Sequence, residues 1–331
     1  MSHFRRRNRP PPSVVDAFTL AAGAARPAVS LYLDVDPASF EIISEHSRLE
    51  LIDITANLRH HEIEHLNEVF ATGNRDDATP HGAALHWLHR FAVALEAARG
   101  QANQTFDRPE YVFSVENDIV TITARRRGEP LDKLVAEMMI LVNRSWGKLL
   151  ADHDVTAIYR LQSQGRVRMT TAPGEHQGLG VSHYAWSSSP LRRYIDLINQ
   201  WQLIALLRSE PPPFERNSAS LLGAVRDFEL TYAAYGEFQE RMEHYWCLRW
   251  LIQNETRSAE AVVVRDNVVK FRELPLYVRV PSLPTGTPPG TEVMVEVRAI
   301  DLIDSTIDAV YKSPAESGRA DLTAATEPRG A

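Results

Sequence analysis

Residues 176–203 read "HQGLGVSHYAWSSSPLRRYIDLINQWQL", and two arginines stand where a helix ordinarily disfavours cations. Ser189 and Pro190 read as an N-cap and a first helical residue, because proline lacks the N–H that would go unpaired there. Leu191, Ile195, Ile198, Trp201 and Ala205 continue with helical spacing. Arg192 and Arg193 then fall in the first turn, beside the positive end of the helix dipole. Two readings follow. In one, Arg192 pairs with Asp196 along a polar stripe that also holds Asn199, a contribution of about 0.3 kcal/mol. In the other, free N–H groups, dipole and guanidinium converge on one phosphate. The Gly-rich approach at 176–180 and the strand "GRVRMTT" (165–171), which carries Arg166 and Arg168, favour the phosphate.

Upstream, "EPLDKLVAEMMILVNRSWGKLLADH" (129–153) is apolar around most of its circumference, which predicts a central core helix. Its Met138 and Met139 are packing, and Lys133, Glu137 and Arg144 break the apolar surface. "AVSLYLDVD" (28–36) alternates as a half-buried strand does, and "SRLELIDI" (47–54) is its antiparallel partner. Residues 72–82 form a polar loop, 83–100 a helix stopped by Gly100, and 111–126 a hairpin turning at Asn117-Asp118. Downstream, a Pro-rich connection (209–217) precedes a helical region over 218–253. From Ala259 the pattern changes to five short β-rich runs, which predict a small barrel of OB type. The tail from Pro314 is polar.

Composition narrows the function classes. The 331 residues are 44% hydrophobic and 24% charged, an ordinary globular balance. No apolar run approaches the roughly 18–20 residues of a membrane span. The single cysteine, Cys247, excludes an intrachain disulfide framework and a Cys-rich zinc site, and it implies a reducing cytoplasm. A formal net charge of −7 means that any polyanion must be held by local clusters: Arg5–Arg7, Arg125–Arg127, Arg166 with Arg168, and Arg192 with Arg193.

The block at 176–203 resembles the signature of the RNB family, to which ribonuclease II and ribonuclease R belong. That family shows a His-x-Gly-Leu-Gly turn, a Tyr, then Ser-Pro-Ile-Arg-Arg/Lys-Tyr-x-Asp and a helix. "LDKLVAEMMILVN" and "YRLQ" (159–162) are similar to the family's preceding segments, and the β-rich end to its S1-type OB domain. The resemblance runs from about residue 12 to residue 313. It implies an α+β fold: the C-terminal part of an RNB catalytic domain (mixed helices and antiparallel sheet), followed by a small β-barrel of OB/S1 type. The segments expected are a disordered basic start (1–27), the partial catalytic domain (28–255), the OB domain (256–313) and a disordered tail (314–331).

The activity implied is hydrolytic 3′-to-5′ degradation of single-stranded RNA to nucleoside monophosphates. Arg192 matches the family arginine that contacts the phosphate near the scissile bond, and Arg193 matches the second basic position. Tyr194 and Asp196 match residues that fix the helix. His176, Gly178, Gly180 and Tyr184 belong to the turn motif, with a structural hydrogen bond expected of His176. Glu240 matches a glutamate facing the nucleotide channel, Phe106 lies near a base-stacking phenylalanine, and Arg166 and Arg168 join the RNA contacts.

The family also holds Mg²⁺ with an aspartate cluster upstream of the strand at 28–36, and this sequence shows no counterpart. No metal ligand is assigned. Asp34 with Asp36 on one side of a strand, and Asp76-Asp77 in a polar loop, are read as decoys, and His60 and His61 lack ligand spacing. Glu137 is the one acid left of the family's double glutamate, and Arg59 and His60 stand where a tyrosine is often found. The expectation is an incomplete exoribonuclease, through truncation, a split gene or a shifted start, whose partners are single-stranded RNA and the missing N-terminal half. The alternatives are a non-catalytic single-stranded RNA-binding protein and, more remotely, an enzyme on small phosphorylated substrates anchored by Arg192.

Overall fold

The structure, a computed structural model, describes residues 11–101, 109–125 and 128–315. The described residues form two compact units, one from 11–101 and 128–232, the other from 109–125 and 233–315. No helix of the described residues is long and apolar enough to cross a membrane.

The first unit is built on α4 (Pro130–Asp152), which starts on a proline and buries Leu131, Leu134, Leu141, Trp146 and Leu150. Around it lie α2 (Leu66–Ala71) and α3 (Gly82–Ala98), which contribute Phe70, Phe91 and Leu95 to the core. Strands β1 (Ala25–Val35) and β2 (Ile42–Asp53) pair antiparallel. Val29 and Leu31 pack into the Trp146 cluster, and Leu33 and Val35 into the Phe91 cluster. Polar contacts fix the register: Trp146 Nε1 donates to Ser47 Oγ at 3.0 Å, and Ser145 Oγ to Glu45 at 2.7 Å. A second hairpin, β5 (Tyr159–Ser163) with β6 (Arg166–Thr170), leads into the Gly-rich turn and then α5 (Tyr194–Arg208). The helix α6 (Ala219–Gln253) contributes its first fourteen residues, up to Tyr232, to this unit.

The second unit holds the barrel: β7 (Ser258–Arg265), β8 (Val268–Phe271), β9 (Tyr277–Arg279), β10 (Glu292–Asp301) and β11 (Thr306–Pro314). Their order is β11-β10-β7-β8-β9, and β9 and β11 approach each other. That is the partly open Greek-key barrel of an OB fold. This unit takes in more than residues 256–313. Hairpin β3 (Glu110–Glu116) with β4 (Ile119–Arg125) packs Phe113 and Ile122 on the barrel core, beside Cys247, Leu248 and Leu251 of α6. The hairpin turns where expected, at Asn117 (φ +50°) and Asp118 (φ +63°).

Three expectations need correction. Residues 1–27 are not uniformly unstructured: Pro12–Phe18 is a helix (α1), begun on a proline, and β1 starts at Ala25. Asn57 ties the connection between them, accepting the Ala22 N–H at 2.7 Å and donating to Leu20 O at 2.8 Å. At the other end β11 runs through Pro314, and Ala315 is buried with its N–H on Glu292 O, while 316–331 lie outside the described residues. Strand β2 begins at Ile42, five residues before the alternating stretch, because it pairs along the whole of β1.

Candidate nucleic-acid interface

Of the two glycines of the "HQGLG" turn, Gly180 is required by close approach to backbone, whereas Gly178 meets the flexible end of Gln162. Gly180 has φ +63°, and a Cβ there would stand 2.4 Å from the Arg99 carbonyl oxygen. At Gly178 it would stand 2.2 Å from Gln162 Oε1, the atom that accepts the Gly178 N–H at 3.0 Å. His176 holds the turn through its backbone: its N–H donates to Val181 O at 2.9 Å, and its carbonyl accepts the Leu179 N–H at 3.0 Å. The side-chain hydrogen bond expected of His176 is not formed. Both ring nitrogens are buried without a partner, and the ring packs edge-on against Tyr184.

The loop that follows is pinned by buried side chains on α4 and α5. Asn143 accepts the Ser187 N–H at 2.8 Å, and its backbone carbonyl accepts that of Ala185. Asn199 accepts the Ile158 N–H at 2.8 Å and donates to the carbonyls of Ile158 and Trp186 at 3.0 and 2.8 Å. Gln202 ties Thr156 O to Phe214 in the same way. These contacts place a serine-rich loop on a rigid base.

The helix begins at Tyr194, four residues later than Pro190. Arg192 and Arg193 both donate their N–H to Ser189 O at 3.1 Å, forming a turn, and Arg193 is extended (φ −128°, ψ 118°). Asp196 is the cause. Fully buried, it accepts the Ser189 N–H at 2.7 Å and a bidentate pair from Arg193 at 2.7 and 2.6 Å. Its carboxylate gathers Ser189–Arg193 into a loop instead of a helical turn. The anion that makes Arg193 welcome is therefore the chain's own Asp196, and the pairing expected of Arg192 belongs to Arg193. Arg192 itself is exposed at the rim.

Trp186 lies at the centre, with the Arg193 guanidinium 4.1 Å and that of Arg160 4.5 Å from its ring centroid. Phe228 meets the indole edge-on, and Tyr232 stacks on Phe228 at 5.6 Å. Arg160 escaped the sequence reading; its signal was its place in "YRLQ", one strand position out of phase with the buried Tyr159. Arg166 and Arg168 are exposed on β6, but their partners in register are Ser163 and Leu161, whereas Arg160 faces Met169. They therefore occupy the opposite face of the hairpin from Arg160.

Glu137 is buried in a bidentate pair with Arg99, which also donates to Leu179 O. Burial pushes the Glu137 carboxyl above its ordinary value, more than Arg99 pulls it down. Arg99, at the C-terminal end of α3, is a second residue that sequence reading missed. Tyr184 is buried, and its carbonyl accepts the Arg160 N–H at 2.8 Å; Tyr194 is exposed edge-on to Trp201. Glu240 is exposed on the part of α6 that belongs to the other unit, and Phe106 lies outside the described residues.

Among known sequences, residues 10–170 and 161–209 match the RNB domain family. The chain belongs to the RNB family. An uncharacterised ribonuclease of Synechocystis sp. is 27% identical over 199 residues, half of this chain and 29% of that protein. Three solved structures share the fold across 88–89% of this chain. An active-site mutant of the Dss1 exoribonuclease of Candida glabrata has a TM-score of 0.75 at 18% identity, with 43% of it covered. Mycoplasma genitalium RNase R in complex with ribose-methylated single-stranded RNA has 0.70 at 12%, with 59% covered. Yeast Ssd1, described as a pseudonuclease, has 0.60 at 15%, with 44% covered. The chain thus spans less than a third of the curated relative, and about half of these structures.

RNB exoribonucleases generally use Mg²⁺, and the candidate acids among the described residues of this RNB chain do not fit one. Among the described residues no three His, Cys, Asp or Glu side chains converge to hold a metal. Asp34 is hydrogen-bonded by Ser44, while Asp36 lies past the end of β1 and caps the Ala38 and Ser39 N–H groups. Those bonds hold the Asp36 carboxyl below its ordinary value. Asp76 does the same for a turn at Ala78 and Thr79, and Asp77 pairs with Arg75. Glu137 and Asp196 are saturated by arginines.

Proposed function

We propose that this chain is the RNA-gripping part of an RNB exoribonuclease domain, one that binds single-stranded RNA but does not cleave it unaided. The observation that carries the reading is the investment in presenting Arg192. Three fully buried polar side chains, Asn143, Asn199 and Asp196, hold the loop and helix start that project it outward. Arg192 contacts a backbone phosphate, and Arg193, held by Asp196, sets its position. The barrel adds a second grip: Lys270, Tyr277 and Arg279 lie on β8 and β9, the strands whose face binds oligonucleotides in OB folds.

Hydrolysis in this reading needs carboxylates from elsewhere, because Glu137 and Asp196, the acids of the signature, already serve arginines. The partner implied is a polypeptide carrying the remainder of an RNB domain, with its Mg²⁺ ligands, in the cytoplasm. A second reading, non-catalytic RNA binding, is favoured by the likeness to Ssd1. An enzyme on small phosphorylated substrates is disfavoured by the aromatic surroundings of Trp186, which suit bases.

The test is anisotropy titration of a 5′-labelled 12-nucleotide RNA over a salt series. The expected result is binding that weakens steeply with salt, and a slope reduced by about one in Arg192→Gln with unchanged thermal midpoint. Salt-independent binding, or an Arg192→Gln variant that matches wild type, would overturn the assignment. Shortening of the label from the 3′ end with Mg²⁺ would show that this chain's own acids suffice.

A further inference from the structure

We propose that Tyr232 and Arg160 form a nucleotide subsite, the Tyr232 ring stacking on a base of single-stranded RNA and the Arg160 guanidinium taking an adjacent phosphate. This rests on the RNA-binding reading above and assigns it residues beyond the signature. Both residues belong to the same compact unit.

The first observation is an aromatic stack that ends in solvent. Trp186 is 7% exposed, Phe228 lies against it, and Tyr232, stacked on Phe228 with ring planes 26° apart, is 54% exposed. Two of its neighbours build a platform whose outermost ring is half in water. Such a ring accepts any base, since every base has a π-face, and an RNA-gripping surface needs that tolerance.

The second observation is the unequal treatment of the two arginines on Trp186. Arg193 is neutralised by both oxygens of Asp196. Arg160 is half-buried, and among the described residues no carboxylate or carbonyl accepts from its guanidinium. Burial draws its pKa below the ordinary arginine value, Arg193 adds repulsion, and the hydroxyls of Tyr232 and Tyr184 lie within electrostatic reach. A partly desolvated cation beside an exposed ring calls for an anion from outside.

The third is His176. It is 5% exposed with both ring nitrogens unpartnered, close enough to feel Arg160. Burial and that neighbour draw its pKa below the ordinary histidine value, which disfavours a second cation beside Arg160. An orphaned buried polar ring in a native fold is a group awaiting a water or a ligand.

The experiment uses the full chain with two 12-mers, oligo(A) and the same ribose-phosphate backbone without bases, each titrated over a salt series. Tyr232→Leu is expected to weaken oligo(A) about 5- to 150-fold at fixed salt, leaving the salt slope and the abasic affinity unchanged. Tyr232→Phe retains wild-type binding. Arg160→Gln lowers the slope by about one for both oligomers, and Arg160→Lys restores it. Equal weakening of both oligomers by Tyr232→Leu would overturn the stacking role. Wild-type binding that survives both Tyr232→Leu and Arg160→Gln would overturn the subsite while leaving the RNA reading intact. A wild-type chain that binds neither oligomer would overturn both.

Discussion

In the barrel, Val263, Val269, Phe271, Leu276 and Val295 are each 2% exposed or less, in one apolar cluster with Leu248 of α6. The loop around Trp186 rests instead on Asn143, Asn199 and Asp196, all fully buried and all polar. Apolar packing fixes volume and is indifferent to direction, so it holds a barrel whose strands already share a backbone ladder. A loop has no ladder. Its carbonyls and N–H groups need partners supplied one by one, and amide side chains, which donate and accept at once, supply them with direction.

The contrast breaks most visibly under shape-preserving substitution. Asn199→Leu keeps the branched shape but strands the Ile158 N–H and two carbonyls, and should cost about 3–5 kcal/mol. Leu276→Met in the barrel should cost less than about 1.5 kcal/mol. Urea midpoints of the two variants decide it, and equal losses would dissolve the distinction. Next in size is the difference between adjacent arginines. Arg193→Gln leaves Asp196 buried and unpaired, at about 3 kcal/mol, while Arg192→Gln should stay within about 0.5 kcal/mol of wild type.

A pH profile sharpens the same comparison. His89 and His176 both sit in the first unit with pKa values drawn down, chiefly by burial, and further by Lys133 and His86 at His89 and by Arg160 at His176. The unfolded chain therefore binds their protons more readily than the fold does. Their contribution is present above the ordinary histidine value of about 6.5 and is lost as pH falls through the folded values. Urea midpoints should drop on the acid side, and less so in His89→Phe with His176→Phe; an identical decline in that double variant would assign it to other groups. The smallest effect concerns the barrel's hairpin: Asp118→Gly, at φ +63° beside Asn117, should stabilise by about 0.5 kcal/mol, read as a raised thermal midpoint.

What the sequence disclosed follows the range of the interactions. The Asn117-Asp118 turn is local chemistry, and the structure reproduces it to the residue. The core helix α4 is a periodicity spread over six turns and is equally legible. The start of α5 was misread because Pro190 satisfies every local criterion for a first helical residue, and only the pull of Asp196 on Ser189 and Arg193 overrides it. Arg160 was invisible because strand alternation says that a residue faces the other side, not what waits there. The attachment of β3–β4 to the barrel unit is more distant still. Gln253, 133 residues along the chain, accepts the Val120 N–H at 2.8 Å and donates to its carbonyl at 3.0 Å.

The same amide pins bear on deuterium uptake. Ile158, Ser187 and Ser189 lend their N–H groups to side chains of Asn199, Asn143 and Asp196, not to a neighbouring strand or turn. Their solvent exchange is then gated by the lifting of α5 and α4 from the loop, not by fraying of a ladder. In a run of three serines, which looks labile from its sequence, the first and third amides become slow-exchanging ones. The Ile158 and Ser189 amides, both held from α5, should lose protection in a single step, reporting the free energy with which that helix is docked.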